Sequence, residues 1–457
     1  MVGRTVRPER VFILGFDGVS WNRLRRWVHN GNLPAFERLF DEGAAGPLRS
    51  TTPATTPLAW SSVATGVWPD KHGIYGVQRL TEEYSHQRYT SDQLRQSPLW
   101  ELVSPSVVRN VPLADSETSA DRTSCEREGE VSHSFEINWS EYLNPLSEHY
   151  DDNRGDEHYD DNRGDERYEN GIEHIAEQRE LMERLFSEDD WRLAFFVFTA
   201  PKRLQQLIHD DDGLLSLYRR LDEVVEDAIT HAETLDAAVF IVSGHGVRPT
   251  DRYANVNQIL ANDGILVSNA DEIEYDTTEA FMNGSGMVFV NDDERFVDGA
   301  VPATERRRIK AVVAERLAGA RDHETGEQPL TVYDGVDVFP ADPNAPDLVV
   351  EAERYTLSAA LTGESFERAG RPTGNNQTEG VLLAWGPGTA PGGRPKAAAV
   401  VDIAPTVLSA LGEPVPESVV GRVLNSALIT DSRFADRTNR TGRTNRTNRT
   451  NWTNWEN

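Results

Sequence analysis

Four short apolar runs, each released into a glycine-rich or polar loop, constrain this chain more than any other feature. Val11-Phe12-Ile13-Leu14-Gly15-Phe16 precedes Asp17-Gly18, and Leu193-Ala194-Phe195-Phe196-Val197-Phe198 precedes Thr199-Ala200-Pro201-Lys202. Ala237-Ala238-Val239-Phe240-Ile241-Val242 precedes Ser243-Gly244-His245-Gly246, and Gly380 to Trp385 precedes Gly386-Pro387-Gly388. Apolar residues on successive rather than alternate positions mark strands buried on both faces, the habit of parallel sheets covered by helices. The predicted class is α/β with a mostly parallel sheet. In such sheets the loops at the strand ends carry the chemistry.

The run TTPATTPLAWSSVATGVWPDKHGI, Thr51 to Ile74, contains a helix start. Thr56 suits an N-cap and Pro57 suits the first helical position, where a missing N–H costs nothing. Leu58 to Ala64 continues the helix, and Gly66 closes it. A hydroxyl placed there meets free backbone N–H groups and the positive end of the helix dipole, a natural phosphate site. Local pattern leaves two readings of Thr56 open: a helix cap, or a side chain in a site.

Four segments resemble the type I phosphodiesterase/nucleotide pyrophosphatase branch of the alkaline phosphatase superfamily. They are the strand ending in Asp17-Gly18, the Thr51–Ile74 run, FFVFTAPKRLQQ from Phe195 to Gln206, and TGNNQTEGVLLAWGPG from Thr373 to Gly388, with DIAPTVLSALG following from Asp402. The resemblance implies a three-layer α/β/α alkaline-phosphatase-like core. It places Thr56 at the nucleophile position and implies two metal ions, usually zinc. The first ion would take Asp17, Thr56, position 244 and His245. The second would take an Asp-x-x-x-His pair, which falls on Lys202 and Gln206, and the His of a Gly-x-His, which falls on Asn376.

At those positions Asp17 and His245 remain as ligand types, whereas Gly244, Lys202, Gln206 and Asn376 do not. Zinc takes about three protein N, O or S ligands plus an open position, and two-metal hydrolysis needs both ions. The expectation is therefore a metal-poor pocket with no cofactor, and Thr56 as a vestigial nucleophile position. Lys202, one of four lysines in the chain, either replaces a metal's charge beside Asp17 or points to solvent. His209 and the run Asp210-Asp211-Asp212 are the nearest substitutes for missing ligands. An Asp at position 244 would, on this resemblance, add a ligand to the first site.

The chain has 457 residues, enough for one large α/β domain with insertions, and carries 75 acidic against 46 basic residues for a net charge of −29. High acidity with scarce lysine suggests a solvated acidic surface of halophilic type. It argues against nonspecific nucleic-acid or anionic-membrane binding. The single cysteine, Cys125, excludes an internal disulfide. No signal-like segment precedes Val11 and no run of about 18 apolar residues occurs, so a cytoplasmic location is expected.

Four stretches divide the chain: 1–113, the first part of the domain; 114–170, an acidic low-complexity insertion; 171–430, the rest of the domain; and 431–457, a Thr/Asn/Arg-rich tail. The insertion repeats EHYDDNRGD at Glu148–Asp156 and Glu157–Asp165, too polar to offset its ordering entropy. It lacks the EF-hand ligand pattern. The tail holds the Asn-x-Thr triplets at Asn439, Asn445, Asn448 and Asn451, acceptors only in an exported chain. Further strands are expected at Ser106–Val111, Gly286–Val290 and Asp347–Val350. Helices are expected at Ile172–Phe186, Leu214–Thr234, Glu305–Leu317 and Ile403–Leu411.

The functional expectation is a degenerate phosphodiesterase-like protein, a pseudoenzyme on a hydrolase fold that keeps a binding or partner role. An anionic or phosphate-bearing ligand fits the residual pocket. The alternative is an active phosphodiesterase or phosphatase using Thr56 with a reduced zinc or manganese site.

Overall fold

The computed structural model describes residues 7–112, 162–186, 190–208, 210–269, 272–361 and 363–429. Its centre is a seven-stranded sheet built from β1 (Arg10–Phe16), β2 (Ala44–Arg49), β3 (Ser106–Arg109), β4 (Leu193–Phe198), β5 (Ala237–Ser243), β6 (Glu379–Trp385) and β7 (Ala398–Ala399), in the spatial order β7-β2-β6-β5-β1-β4-β3. All pairings are parallel except those of β6, which runs antiparallel to both β2 and β5. The apolar run of β6 looks like the others; its reversed direction follows from the chain reaching it along an antiparallel arm, Phe366–Gln377 on Gly246–Asn255.

Alternate residues of β1 supply the two cores, which explains its unbroken hydrophobicity. Phe12, Leu14 and Phe16 pack with α1 (Trp21–His29), α2 (Pro34–Glu42), α4 (Asn162–Phe186) and α6 (Asp211–Leu235). Val11 and Ile13 pack on the opposite face with α3 (Thr56–Thr65) and α8 (Ile403–Leu411). The expected three-layer arrangement is present.

The strands expected at Gly286–Val290 and Asp347–Val350 are present but lie outside this sheet: Met287–Val290 and Leu348–Ala352 pair with Ala280–Met282 and Leu330–Asp334 in a separate four-stranded antiparallel sheet. That sheet packs with α7 (Arg306–Gly319) around its own core. A short apolar run carries no mark of which sheet it joins. In addition, α4 starts at Asn162 rather than Ile172, because Tyr168 and Ile172 still reach the core beneath α6.

Residues 113–161, with Cys125 and the first nine-residue repeat, lie outside the described residues, as do His209 and the tail from 430. No helix among the described residues is long and apolar enough to cross a membrane.

Candidate functional site

The strand ends of β1 and β5, the first turn of α3 and the first turn of α5 (Ala200–Leu207) meet at one end of the sheet. Asp17 continues the ladder beyond β1, its N–H donating to the Phe198 carbonyl at 3.0 Å. Its side chain is fully buried. One carboxylate oxygen accepts from Trp60 Nε1 at 3.2 Å and the other from Thr56 Oγ1 at 2.9 Å. The indole comes this close because residue 15 is glycine: a Cβ there would lie 2.5 Å from Trp60 Cη2.

Thr56 is the first residue of α3, with Thr55 in the cap position and making no side-chain cap bond. The capping reading of Thr56 is therefore corrected, since its hydroxyl turns into the site instead. Besides Asp17 it contacts His245 Nε2 at 3.1 Å and accepts from Lys202 Nζ at 2.8 Å. Gly66, with φ 71°, closes the helix in the left-handed conformation. The Thr55 side chain caps none of the backbone N–H groups at the start of the helix, and its buried hydroxyl has no hydrogen-bond partner among the described residues.

His245 follows β5 and is fully buried. In the neutral ring, Nδ1–H donates to the Gly246 carbonyl at 3.1 Å, which leaves the Nε2 lone pair facing Thr56 and, at 3.3 Å, Asp17 Oδ1. Burial pushes its pKa down to about 4; Asp17 pulls upward and Lys202 pushes further down. Burial likewise lowers the Lys202 pKa, opposed by Asp17 and helped by Arg203. The single Thr56 proton thus has two acceptors, Asp17 and His245, and the lysine Nζ donates into the cluster.

Lys202 therefore points inward rather than to solvent, and it meets the Thr56 hydroxyl rather than pairing directly with Asp17. Asn376 reaches the same end of the sheet through the arm, but its Nδ2 donates to the Ala54 carbonyl at 2.8 Å. Gln206 lies across Gly374, where a Cβ would meet its Cγ at 2.7 Å. Asp210 caps α6 through Gly213 N at 2.7 Å, and Asp211 pairs with Arg26 at 2.9 Å on the surface. Neither joins the site.

Two residues of the site were not anticipated. Trp60 lies four residues after Thr56, so helical spacing puts both on one face. Gln205 has no such signal beside its twin Gln206. It is buried, donating to Gly18 O at 2.9 Å and Pro201 O at 3.1 Å while accepting from Arg23 Nη1 at 2.6 Å and Tyr218 OH at 3.2 Å. It ties the Asp17-Gly18 loop to the helix that carries Lys202.

These donors do not fit a two-zinc centre. Asp17 and His245 are strong ligands and Thr56 a weak one, whereas the fourth group at the hydroxyl is an ammonium. Among the described residues, no three His, Cys, Asp or Glu side chains are grouped to hold a metal ion. Gly244 is no free ligand position either: a Cβ there would lie 2.8 Å from Ala59 Cβ on α3. Gly244→Asp alone is thus expected to destabilise the protein by about 1–3 kcal/mol through overpacking. Ala59→Gly in the same chain is expected to recover much of that loss. Urea unfolding of the single and double variants measures both; an unaffected single variant would show that α3 yields freely.

The three layers and the site at the strand ends define an alkaline-phosphatase-like α/β protein. The sequence profile of the type I phosphodiesterase / nucleotide pyrophosphatase family matches residues 11–372. The chain belongs to that family. Among solved structures it is similar to human ectonucleotide pyrophosphatase/phosphodiesterase 5, with a TM-score of 0.59 and 14% identity over 92% of this chain and 100% of that one. The murine counterpart gives 0.57 and 15% identity over 89% and 96%. An inactive variant of the murine protein in complex with AMP gives 0.56 and 14% over the same shares. No curated protein sequence matches the chain.

Proposed function

We propose that this pocket is a metal-independent binding site for a phosphate-bearing anion and does not carry out two-metal hydrolysis. The observation that carries this reading is the Lys202 ammonium, 2.8 Å from Thr56 Oγ1 at the start of α3. A fixed cation beside uncapped helix N–H groups is suited to an oxyanion. Thr56, in contrast, is a poor nucleophile unless a base or metal lowers its pKa, and the partners that would hold a second ion are absent from positions 202, 206 and 376.

Calorimetric titration with inorganic phosphate and with AMP tests the reading. Saturable binding is expected, weakened roughly tenfold or more in Lys202→Met, because a hydrogen bond to a charged group contributes about 1.5–3 kcal/mol. Binding that is absent, or unchanged in the variant, overturns it.

A second reading is a working phosphodiesterase with one zinc or manganese ion, favoured by the contacts of Thr56 with both Asp17 and His245. The proposed reading expects wild type and Thr56→Ala to hydrolyse a bis-aryl phosphodiester at the same background rate with zinc or manganese added. Turnover well above background that disappears in Thr56→Ala would establish the second reading instead.

A further inference from the structure

We infer that Lys202 is an internal cation holding the locus between Asp17, Thr56 and His245 against a metal ion, and that a single metal site lies latent beneath it. The inference rests on the metal-free reading of the same pocket but not on the identity of any anion. Three features point to it.

The lysine occupies the hydroxyl that a metal would need. Its Nζ donates to Thr56 Oγ1 at 2.8 Å, so a divalent ion bound to that oxygen at about 2.0–2.2 Å would sit within a few ångströms of an ammonium. In a buried setting, like charges at that range weaken binding by orders of magnitude. The remaining donors are already aimed inward. His245 is oriented by its Nδ1–H on the Gly246 carbonyl, the usual way a ligating imidazole is fixed. Asp17 stands 3.3 Å from its Nε2 and 2.9 Å from the threonine oxygen. With the ammonium gone, one carboxylate, one imidazole and one hydroxyl converge, which is the donor count of a three-ligand open site. Finally, Gln205 anchors α5 to the Gly18 carbonyl independently of Lys202, so shortening the lysine does not release the helix.

The test uses the full chain as wild type, Lys202→Ala and Lys202→Ala/His245→Ala, loaded with zinc or manganese. Metal per chain is read by elemental analysis after gel filtration, and metal-dependent shifts by thermal unfolding. Wild type is expected to keep less than one ion and to show no shift. Without metal, Lys202→Ala should unfold at a lower temperature, since Asp17 loses its neighbouring cation. With zinc it should gain a few degrees and one ion per chain, and the added His245→Ala should abolish that gain. A stoichiometric ion on wild type that is lost in His245→Ala overturns the inference, as does a folded Lys202→Ala that gains nothing. If the alanine variant does not fold, Lys202→Gln serves, keeping a donor for Thr56 without the charge. It should bind zinc at least roughly tenfold more tightly than wild type, and equal affinity again overturns the inference. A failure of phosphate binding with the zinc gain intact would remove only the proposed ligand.

Discussion

Gln205→Leu is expected to lower the unfolding free energy by about 3–5 kcal/mol, whereas Gln206→Leu next to it should cost less than about 1 kcal/mol. Gln205 uses all of its amide capacity inside the protein: two donated bonds to Gly18 O and Pro201 O, and two accepted from Arg23 and Tyr218. Leucine fills similar space and leaves those partners facing an apolar side chain. Each buried group orphaned in this way costs about 1–3 kcal/mol. The part-buried Arg23 keeps its bond to the Val247 carbonyl at 3.4 Å and can recover some of the loss from water. Gln206 is half-buried and has no comparable set of bonds among the described residues. Urea unfolding of the two variants decides the point, and equal losses would sink the hub role of Gln205. Because Gln205 sets the position of α5, its loss should also weaken phosphate binding through Lys202.

Acidification should destabilise the fold through His72 by up to about 5 kcal/mol, an order-of-magnitude figure. His72 is fully buried beside α3. Its Nδ1 accepts from the Ile74 N–H at 3.1 Å, so the ring proton lies on Nε2 and is directed to Ser62 Oγ at 3.1 Å. Burial lowers its pKa to about 3; Arg95 lowers it further and a bond to the Leu58 carbonyl opposes this. The unfolded value is about 6.5. Between those values the unfolded chain binds the extra proton and the folded chain does not. Stability is then fully present above pH 6.5 or so and falls by about 1.4 kcal/mol per pH unit as the pH drops toward about 3. His72→Asn keeps an acceptor for Ile74 but cannot titrate. It should be less stable at neutral pH yet show a shallower decline, by about one proton, from pH 6.5 downward. Denaturant midpoints at several pH values, compared as wild type minus variant, isolate this group. Parallel curves would show that His72 does not control the acid response.

Much of the architecture was legible because burial on both faces writes itself into consecutive residues. The runs at Val11, Leu193 and Ala237 became adjacent parallel strands β1, β4 and β5. The helix at Ile403–Leu411 and the glycine stop at Gly66 lie where local pattern placed them. The pattern did not distinguish the two sheets: Met287–Val290 is as apolar as a core strand, and only its hydrogen-bonded neighbours reveal its place. The start of α4 at Asn162 was hidden for a similar reason, since its polar first turns are carried by contacts from Tyr168 and Ile172 onward.

At the site, the sequence by itself determined which chemical groups were present: a carboxylate at Asp17, an imidazole at His245, a hydroxyl at Thr56 and a lysine at 202. The motifs and their order also carried the resemblance to the family, and the apolar runs pointed to the α/β class. Tertiary structure decided what those groups do to one another. A threonine before a proline caps a helix or enters a pocket according to what stands opposite, and Asp17, His245 and Lys202 stand opposite Thr56. A glycine at 244 reads as an empty ligand position until Ala59 is found within contact distance of any side chain placed there. Two adjacent glutamines are chemically identical in the sequence, but the helix turns only Gln205 beneath Gly18. The physical reason is the same each time: residue type fixes the available protons, lone pairs and charges, whereas interaction energy depends on distances between elements remote in the chain.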